Sequence, residues 1–392
     1  MNASRSMEIA LVLDRFDPAH GGLEHWAFQL ASWLDRQGHR VHVVAGECAP
    51  EMERHNFVLH AVGLKRSRVA FAADVERCAR QLKLDIVHDL GSGWYFDILQ
   101  PQFGSRLADE RQNLVSLPLV ERWRRRISRT PRRRLREIRE FEERQYRSPG
   151  GKIIAVSRMT RADLEHFNRV PPERLSVIHN GVETDRFFPA ADLTARERIR
   201  KQRGLGNQLV LLLAAHNFRL KGVQTLLETM ARLRNEPVHA LIVGRDETEN
   251  YQRMAHDLRV EDKVTFCGFV EDIRDYYHTA DIYAHPTFYD PCSLAVLEAM
   301  ACGVPVITSR FNGAAELIED GVEGIVLRDP ASARELTRAV LRLWNSETRS
   351  VMRQKAREAA LRQSAEKCFE RILGAYDDVL RNGQGRDSHS WK

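Results

Sequence analysis

The sequence predicts two α/β domains in series, each a doubly wound, Rossmann-like parallel sheet. Three observations predict this. Short runs rich in Val, Ile and Leu alternate with helix-periodic segments along the whole chain. The alternation starts afresh after a polar stretch near the middle. The length, 392 residues, suits two domains.

“MEIALVLDRF” reads as a buried strand and “DPAHGG” as a turn ending in His20, Gly21 and Gly22. “LEHWAFQLASWLDRQGH” places Leu23, Trp26, Ala27, Leu30, Trp33 and Leu34 at helical spacing, and Gly38 ends that helix. “RVHVVAG” is the next strand. It completes a βαβ unit, which makes the sheet parallel. “LDIVHDLGSG” supplies a strand and a glycine-containing loop. “KIIAVS” supplies another strand, with a helix from about Arg158, and “LSVIHNGV” closes the half. The second unit runs “QLVLLLAAH”, the loop “NFRLKG”, the helix “VQTLLETMARLRN” and the strand “VHALIVG”. Then follow “KVTFCG”, a helix through Asp272 to Thr279, “DIYAHPT”, a helix from about Ser293, “VPVITS” and “EGIVL”. The expected boundaries are 1–185, with a basic helical insertion at about 118–148, then 186–365, then a C-terminal helix and tail at 366–392. The linker falls within “GVETDRFFPAADLTARER”.

Composition narrows the class. The chain is 43% hydrophobic and 29% charged, as in ordinary globular proteins with a substantial core. The longest apolar run, Leu209 to Ala215, is far too short to span a bilayer. The apolar run near the N-terminus, Ile9 to Leu13, is too short for a signal peptide. Six scattered cysteines without a CxxC pair suit a reducing compartment. A cytoplasmic location is expected.

Motif absences exclude several chemistries. There is no GxxxxGK[ST], so no P-loop, and no GxGxxG, which argues against nicotinamide or flavin. Without Asp-x-Asp or HExxH, metal ligands are not evident and metal-free catalysis is expected. What stands out is “YDPCSLAVLEAMACGVPVITS”, where Asp290 precedes a helix and Glu298 lies on it. Open parallel sheets bind ligands beyond the carboxyl ends of their strands, and two facing sheets would form a cleft. Amides near Ser293, Leu294 and Ala295 at the helix start can receive a phosphate. Glu298 can then accept from ribose hydroxyls, and Asp290 faces the group being transferred. Lys221, with Arg219, supplies cations for a diphosphate and its leaving-group charge. Gly21, Gly22, Gly244 and Val270 sit in further strand-end loops.

These stretches resemble the retaining GT-B glycosyltransferases of family 4. “YDPCSLAVLE” is similar to their E-x7-E signature, with Asp in the first position. “AAHNFRLKG” resembles their diphosphate loop. “DPAHGGLEHWAFQLASWLDRQGHRVHVVAG” resembles their N-terminal glycine loop and helix, and “VIHNGVETDRFFP” the end of their first domain. The likeness spans nearly the whole chain and is greatest to lipopolysaccharide-core glucosyltransferases. It implies a GT-B fold and metal-independent retaining hexosyl transfer, with no cofactor beyond a nucleotide diphosphate sugar, expected to be UDP-glucose. It implies a glycan or glycolipid acceptor in cell-surface polysaccharide or lipopolysaccharide synthesis. By the same likeness Glu298 binds ribose, Lys221 and Arg219 bind the diphosphate, Asp290 addresses the sugar, and Gly21 and Gly22 approach the phosphates. The sequence departs from the family in two places. Asp290 is one methylene shorter than the usual Glu, and “ILQPQFGS” lacks the first-domain His, for which Gln102 or His88 could stand in. A GT-B nucleotide-sugar epimerase, and a non-catalytic nucleic-acid- or membrane-binding protein on this scaffold, are the alternatives.

The net charge of +6 is uneven: Arg122 to Arg147 holds twelve arginines and four glutamates, a local +8 that leaves −2 elsewhere. Pro131 is expected to break this helical segment. Leu135, Ile138 and Phe141 share a face, and Glu140 with Arg144 is a candidate i,i+4 pair. Arg122 to Arg134 meets no acid, so an anionic membrane surface is the expected partner, with peripheral association at the inner face of the plasma membrane. Without a recognition motif, nucleic acid is not expected.

Overall fold

A computed structural model describes residues 6–65, 67–117, 121–124, 129–147 and 150–383, without the side chains of 129–132. It clusters into two compact units. The first comprises Met1–Glu110, Trp123–Ile178 and Glu366–Lys392; the second, Arg111–Arg122 and His179–Ala365.

In the first unit a seven-stranded sheet has the order β3-β2-β1-β4-β5-β6-β7, parallel throughout. The strands are β1 (Glu8–Phe16), β2 (Arg40–Cys48), β3 (Val58–Ala61), β4 (Ile86–Asp89), β5 (Ile98–Leu99), β6 (Lys152–Ala155) and β7 (Leu175–Val177). Sequence periodicity missed β3 and β5; β5 has only two residues. The helices are α1 (Gly22–Arg36), α2 (Arg68–Gln81), α4 (Arg129–Arg147) and α5 (Arg158–Asn168), while α3 (Arg106–Val115) is divided between the units at Glu110. α1 buries Trp26, Ala27, Leu30, Ala31, Trp33 and Leu34, the stripe its spacing predicts.

The basic segment departs from expectation. Pro131 lies in the first turn of α4, where the missing N–H has no intrahelical partner to lose, so the helix runs through it. Arg144 does not pair with Glu140. Its guanidinium stacks 3.8 Å over the Trp94 ring and stands 3.8 Å from Glu76. Ile138, Phe141 and Tyr146 are buried. Arg125 to Ser128 lie outside the described residues.

The second unit carries a six-stranded parallel sheet, order β10-β9-β8-β11-β12-β13. Its strands are β8 (Leu209–Ala214), β9 (Val238–Val243), β10 (Val264–Gly268), β11 (Ile282–His285), β12 (Val306–Ser309) and β13 (Gly324–Leu327). They alternate with α6 (Thr194–Arg203), α7 (Val223–Arg232), α8 (Glu249–Asp257), α9 (Arg274–Thr279), α10 (Leu294–Ala301), α11 (Ala333–Arg342) and α12 (Ser346–Arg362). β8 and β9 are near-continuous apolar runs because helices cover both faces of a parallel sheet. α6 begins inside the stretch read as linker.

α13 (Ala365–Asn382) belongs with the first unit and is not a separate appendage. Phe369 packs its ring 5.7 Å from Trp26 and 5.9 Å from Trp33. Tyr376 donates to His88 Nδ1 at 2.6 Å. Among the described residues no helix is long and apolar enough to cross a membrane.

Candidate nucleotide-sugar site

In the second unit the strand order reverses between β8 and β11, the switch point beyond whose carboxyl ends open parallel sheets bind ligands. The β8 loop is held down by Phe218, which is buried, and by Asn217 in the left-handed region at φ 63°. Gly222 lets this loop press onto the β11 loop. Its φ is +79°, and a Cβ there would fall 2.1 Å from Pro286 O. Phe288 N then reaches Leu220 O at 2.7 Å, and Thr287 Oγ1 reaches the same oxygen at 3.1 Å.

This contact brings Lys221 to Asp290, 69 residues apart in sequence. Lys221 Nζ donates to Asp290 Oδ2 at 2.7 Å and to Tyr289 O at 3.1 Å, leaving one of its three N–H groups for a ligand. The two side chains are only 17% and 13% exposed. Asp290 is fixed by its backbone: its N donates to Phe311 O (2.9 Å) and its O accepts from Gly313 N (2.8 Å). Its carboxylate faces Lys221 and His285. Burial alone would raise its pKa. The Lys221 charge and the His285 contact outweigh burial and hold it well below the usual carboxylate range.

His285, 2% exposed in its side chain, stands with Nε2 3.3 Å from Asp290 Oδ2. On its other side Tyr283 Oη lies 3.3 Å from Nδ1 and also donates to Ala214 O at 3.2 Å. Burial pushes the imidazole pKa down, against the pull of Asp290. His285 was visible in the sequence only as one of several strand-end histidines. Tyr283 and His285 are two apart on β11 and so share a face, which was the signal available.

Ser293 is the N-cap of α10, its Oγ accepting from Val296 N at 3.4 Å. Its own amide is not free, as expected from sequence, but donates to Asn312 Oδ1 at 3.2 Å. The amides of Leu294 and Ala295 have no acceptor among the described residues, as first-turn amides do not. Glu298, half-buried in the next turn, accepts from Tyr277 Oη at 2.8 Å. Burial, then the Glu298 charge, keeps the Tyr277 phenol protonated, so it can only donate there. Arg219 is half-buried two residues before Lys221 and donates to Asn113 Oδ1 at 2.8 Å, a residue that clusters with this unit. Gly244 (φ +139°) has its Cα against the β8 loop, where a Cβ would meet Ala215 O at 1.7 Å. Val270 is half-buried beyond β10.

In the first unit Gly21 and Gly22 open α1 behind β1. Gly21 is extended, and the Glu24 carboxylate folds against it, 2.9 Å from where a Cβ would stand. His88 does not suit the stand-in role. It is fully buried, and burial pushes its pKa down to about 3. Gln102 is half-buried after β5.

Residues 195–360 match the family model for group 1 glycosyl transferases, and residues 20–186 match that for glycosyltransferase family 4. The lipopolysaccharide glucosyltransferase WaaG of Escherichia coli (strain K12) is 25% identical over 391 residues, 95% of this chain and all of that one. The crystal structure of WaaG, a glycosyltransferase involved in lipopolysaccharide biosynthesis, superposes with TM-score 0.75 at 23% identity, covering 95% and 99% of the two chains. That of Anabaena Alr3699/HepE in complex with UDP-glucose gives 0.74 at 19% identity, covering 95% and 100%. With two parallel Rossmann-like sheets, a family 4 module followed by a group 1 module, and this likeness over nearly its full length, the chain belongs to the GT-B glycosyltransferases and is similar to the lipopolysaccharide-core enzymes.

Proposed function

We propose that the enzyme moves a hexose from a nucleotide diphosphate sugar, with UDP-glucose the expected donor, to a lipid-linked glycan, with retention and without a metal ion. The observation that carries this reading is Lys221. A shielded ammonium held at Asp290 keeps one N–H available, and the amides of Leu294 and Ala295, four and five residues further along the same loop and helix start, have no acceptor among the described residues. A diphosphate set there gains charge-assisted bonds that strengthen as the leaving group acquires charge. In this reading Glu298, oriented by Tyr277, receives the ribose, and Gly244 and Val270 border the nucleotide. Asp290 reaches the sugar only through the Lys221 and backbone geometry it fixes. Arg219 adds a second cation.

The choice of UDP-glucose draws on the glucosyltransferase name of the Escherichia coli relative and the ligand of the Anabaena protein. Retention rests on the family resemblance. The acceptor side draws on the basic segment. Trp123 is 65% exposed, and Arg124, Arg133 and Arg134 are exposed as well, although Arg134 also pairs with Glu110 at 2.9 Å. Peripheral docking at the inner face of the plasma membrane follows from that charge.

The test is thermal stabilisation by a panel of nucleotide diphosphate sugars, followed by NMR of the product's anomeric proton. UDP-glucose should stabilise most, and the new bond should keep the donor's configuration. No stabilisation by any member overturns the reading. Conversion of the donor to an epimer without acceptor makes the protein an epimerase.

A further inference from the structure

Lys221 is asked to serve two anions. In the free protein it neutralises Asp290 at 2.7 Å, and in the reading above, on which this inference rests, it also meets a diphosphate. A lysine drawn toward two phosphate charges leaves Asp290 under-compensated in a shielded place. Beside Asp290 the described side chains place one group able to make up the difference. We propose that His285 is a positioning residue that takes up a proton from solvent when the donor diphosphate engages Lys221, becoming the counter-charge that holds Asp290 in place.

The wiring of the imidazole fits both of its charge states. Neutral, the ring donates from Nε2 to Asp290 Oδ2 (3.3 Å) and accepts at Nδ1 from Tyr283 Oη (3.3 Å). Doubly protonated, it must donate from both nitrogens. Tyr283 can then accept at Oη, because its own proton has a second acceptor, Ala214 O at 3.2 Å. A buried histidine held only for packing needs no acceptor at both nitrogens. The charged and titratable groups around it are Asp290 from the β11–α10 loop, Lys221 from the β8 loop and Tyr283 on its own strand. Glu298 of α10 acts one step further away, on Tyr283. β12 contributes only the uncharged Thr308, whose hydroxyl donates to His285 O at 3.1 Å. Burial keeps His285 neutral in the free protein, so the proton is available to be gained on binding.

The sign follows from linkage. A complex that binds more protons than its free parts forms more tightly at lower pH. Donor affinity should therefore weaken severalfold between about pH 6 and pH 8, with a slope of at most tenfold per pH unit for one proton.

The test is calorimetry with UDP-glucose, whose diphosphate diester does not titrate in this range, in buffers of different ionisation enthalpy. Wild type should take up a fraction of a proton per nucleotide at mildly acidic to neutral pH. His285→Gln keeps a donor to Asp290 but cannot titrate, and should bind with no uptake and a flat pH profile. A second measurement needs no donor. Ring NMR of Lys221→Met, where the cation is removed outright, should show the His285 titration moved upward relative to wild type. UDP-glucose binding without uptake, or with equal uptake in His285→Gln, overturns this inference and leaves the proposed function standing. If no nucleotide sugar binds, the proposed function falls, and an unmoved His285 in Lys221→Met overturns the charge-balancing role as well.

Discussion

Replacing Tyr277 with Phe should weaken donor binding by about five- to tenfold while leaving the fold intact. The ring is fully buried, edge-on to Phe187 at 6.1 Å and to Tyr283 at 5.8 Å, and Phe keeps both contacts. What is lost is one hydroxyl. Its proton has two acceptors within reach, Glu298 Oε2 at 2.8 Å and Ala295 O at 3.2 Å, and the shorter, charged one takes it. A hydrogen bond to a charged group contributes about 1.5–3 kcal/mol. Glu298 is only half-buried, so water can partly replace the phenol, which puts the cost at or just below the low end, about 1–1.5 kcal/mol. At 1.4 kcal/mol per decade this is the stated loss. Calorimetry of UDP-glucose binding reads it directly. Glu298→Ala removes the ribose contact itself and should cost about 1.5–3 kcal/mol. If Tyr277 acts by orienting Glu298, the double variant should bind no worse than Glu298→Ala alone. Strictly additive losses, or unchanged affinity in Tyr277→Phe, would refute the orienting role.

Lys221→Ala should lower turnover about 10²–10³-fold and donor affinity much less, because leaving-group charge grows in the transition state. Steady-state kinetics alongside calorimetry separates the two effects. Activity should survive EDTA, and loss restored by magnesium or manganese would end the metal-free mechanism. Gly222→Ala places a Cβ 2.1 Å from Pro286 O at positive φ, so the β8 loop must shift. The expected cost is about 1–3 kcal/mol, seen as a fall of several degrees in the thermal transition of the second unit, and an unchanged transition contradicts the close packing. Changing Arg124, Arg125, Arg126, Arg132, Arg133 and Arg134 to Gln should abolish sedimentation with anionic vesicles and leave donor binding intact. Wild-type binding to vesicles should fall steeply with salt. A wild type that ignores vesicles but retards nucleic acid would replace the membrane by the alternative partner.

Local spacing made much of the fold legible. β1, β2, β8 and β9 are long apolar runs, and α1 carries its buried stripe in strict helical register. β5 escaped because two residues hold no period; α13 was expected as a helix, but not its place on the first unit, because its partner face, Trp26 and Trp33, lies more than 300 residues away. The basic run misled in its second half, where Phe141 and Tyr146 tie α4 into the core and Arg144 stacks on Trp94. At the candidate site, spacing put Asp290 before α10 and Glu298 upon it, since both lie within one short stretch of chain. It could not say which way Asp290 turns. That is decided by the adjacency of β8 and β11, a consequence of the crossover order, and by Gly222, which has no side chain to hold the two loops apart. The same adjacency explains why His285 could not be ranked from sequence. A histidine at a strand end acquires meaning only when a carboxylate from the following loop and a tyrosine two residues earlier close on its two nitrogens. Charge at this site is thus a property of paired strands: the one local signal at His285, a tyrosine two residues earlier on the same face, says nothing of the carboxylate that completes the pair.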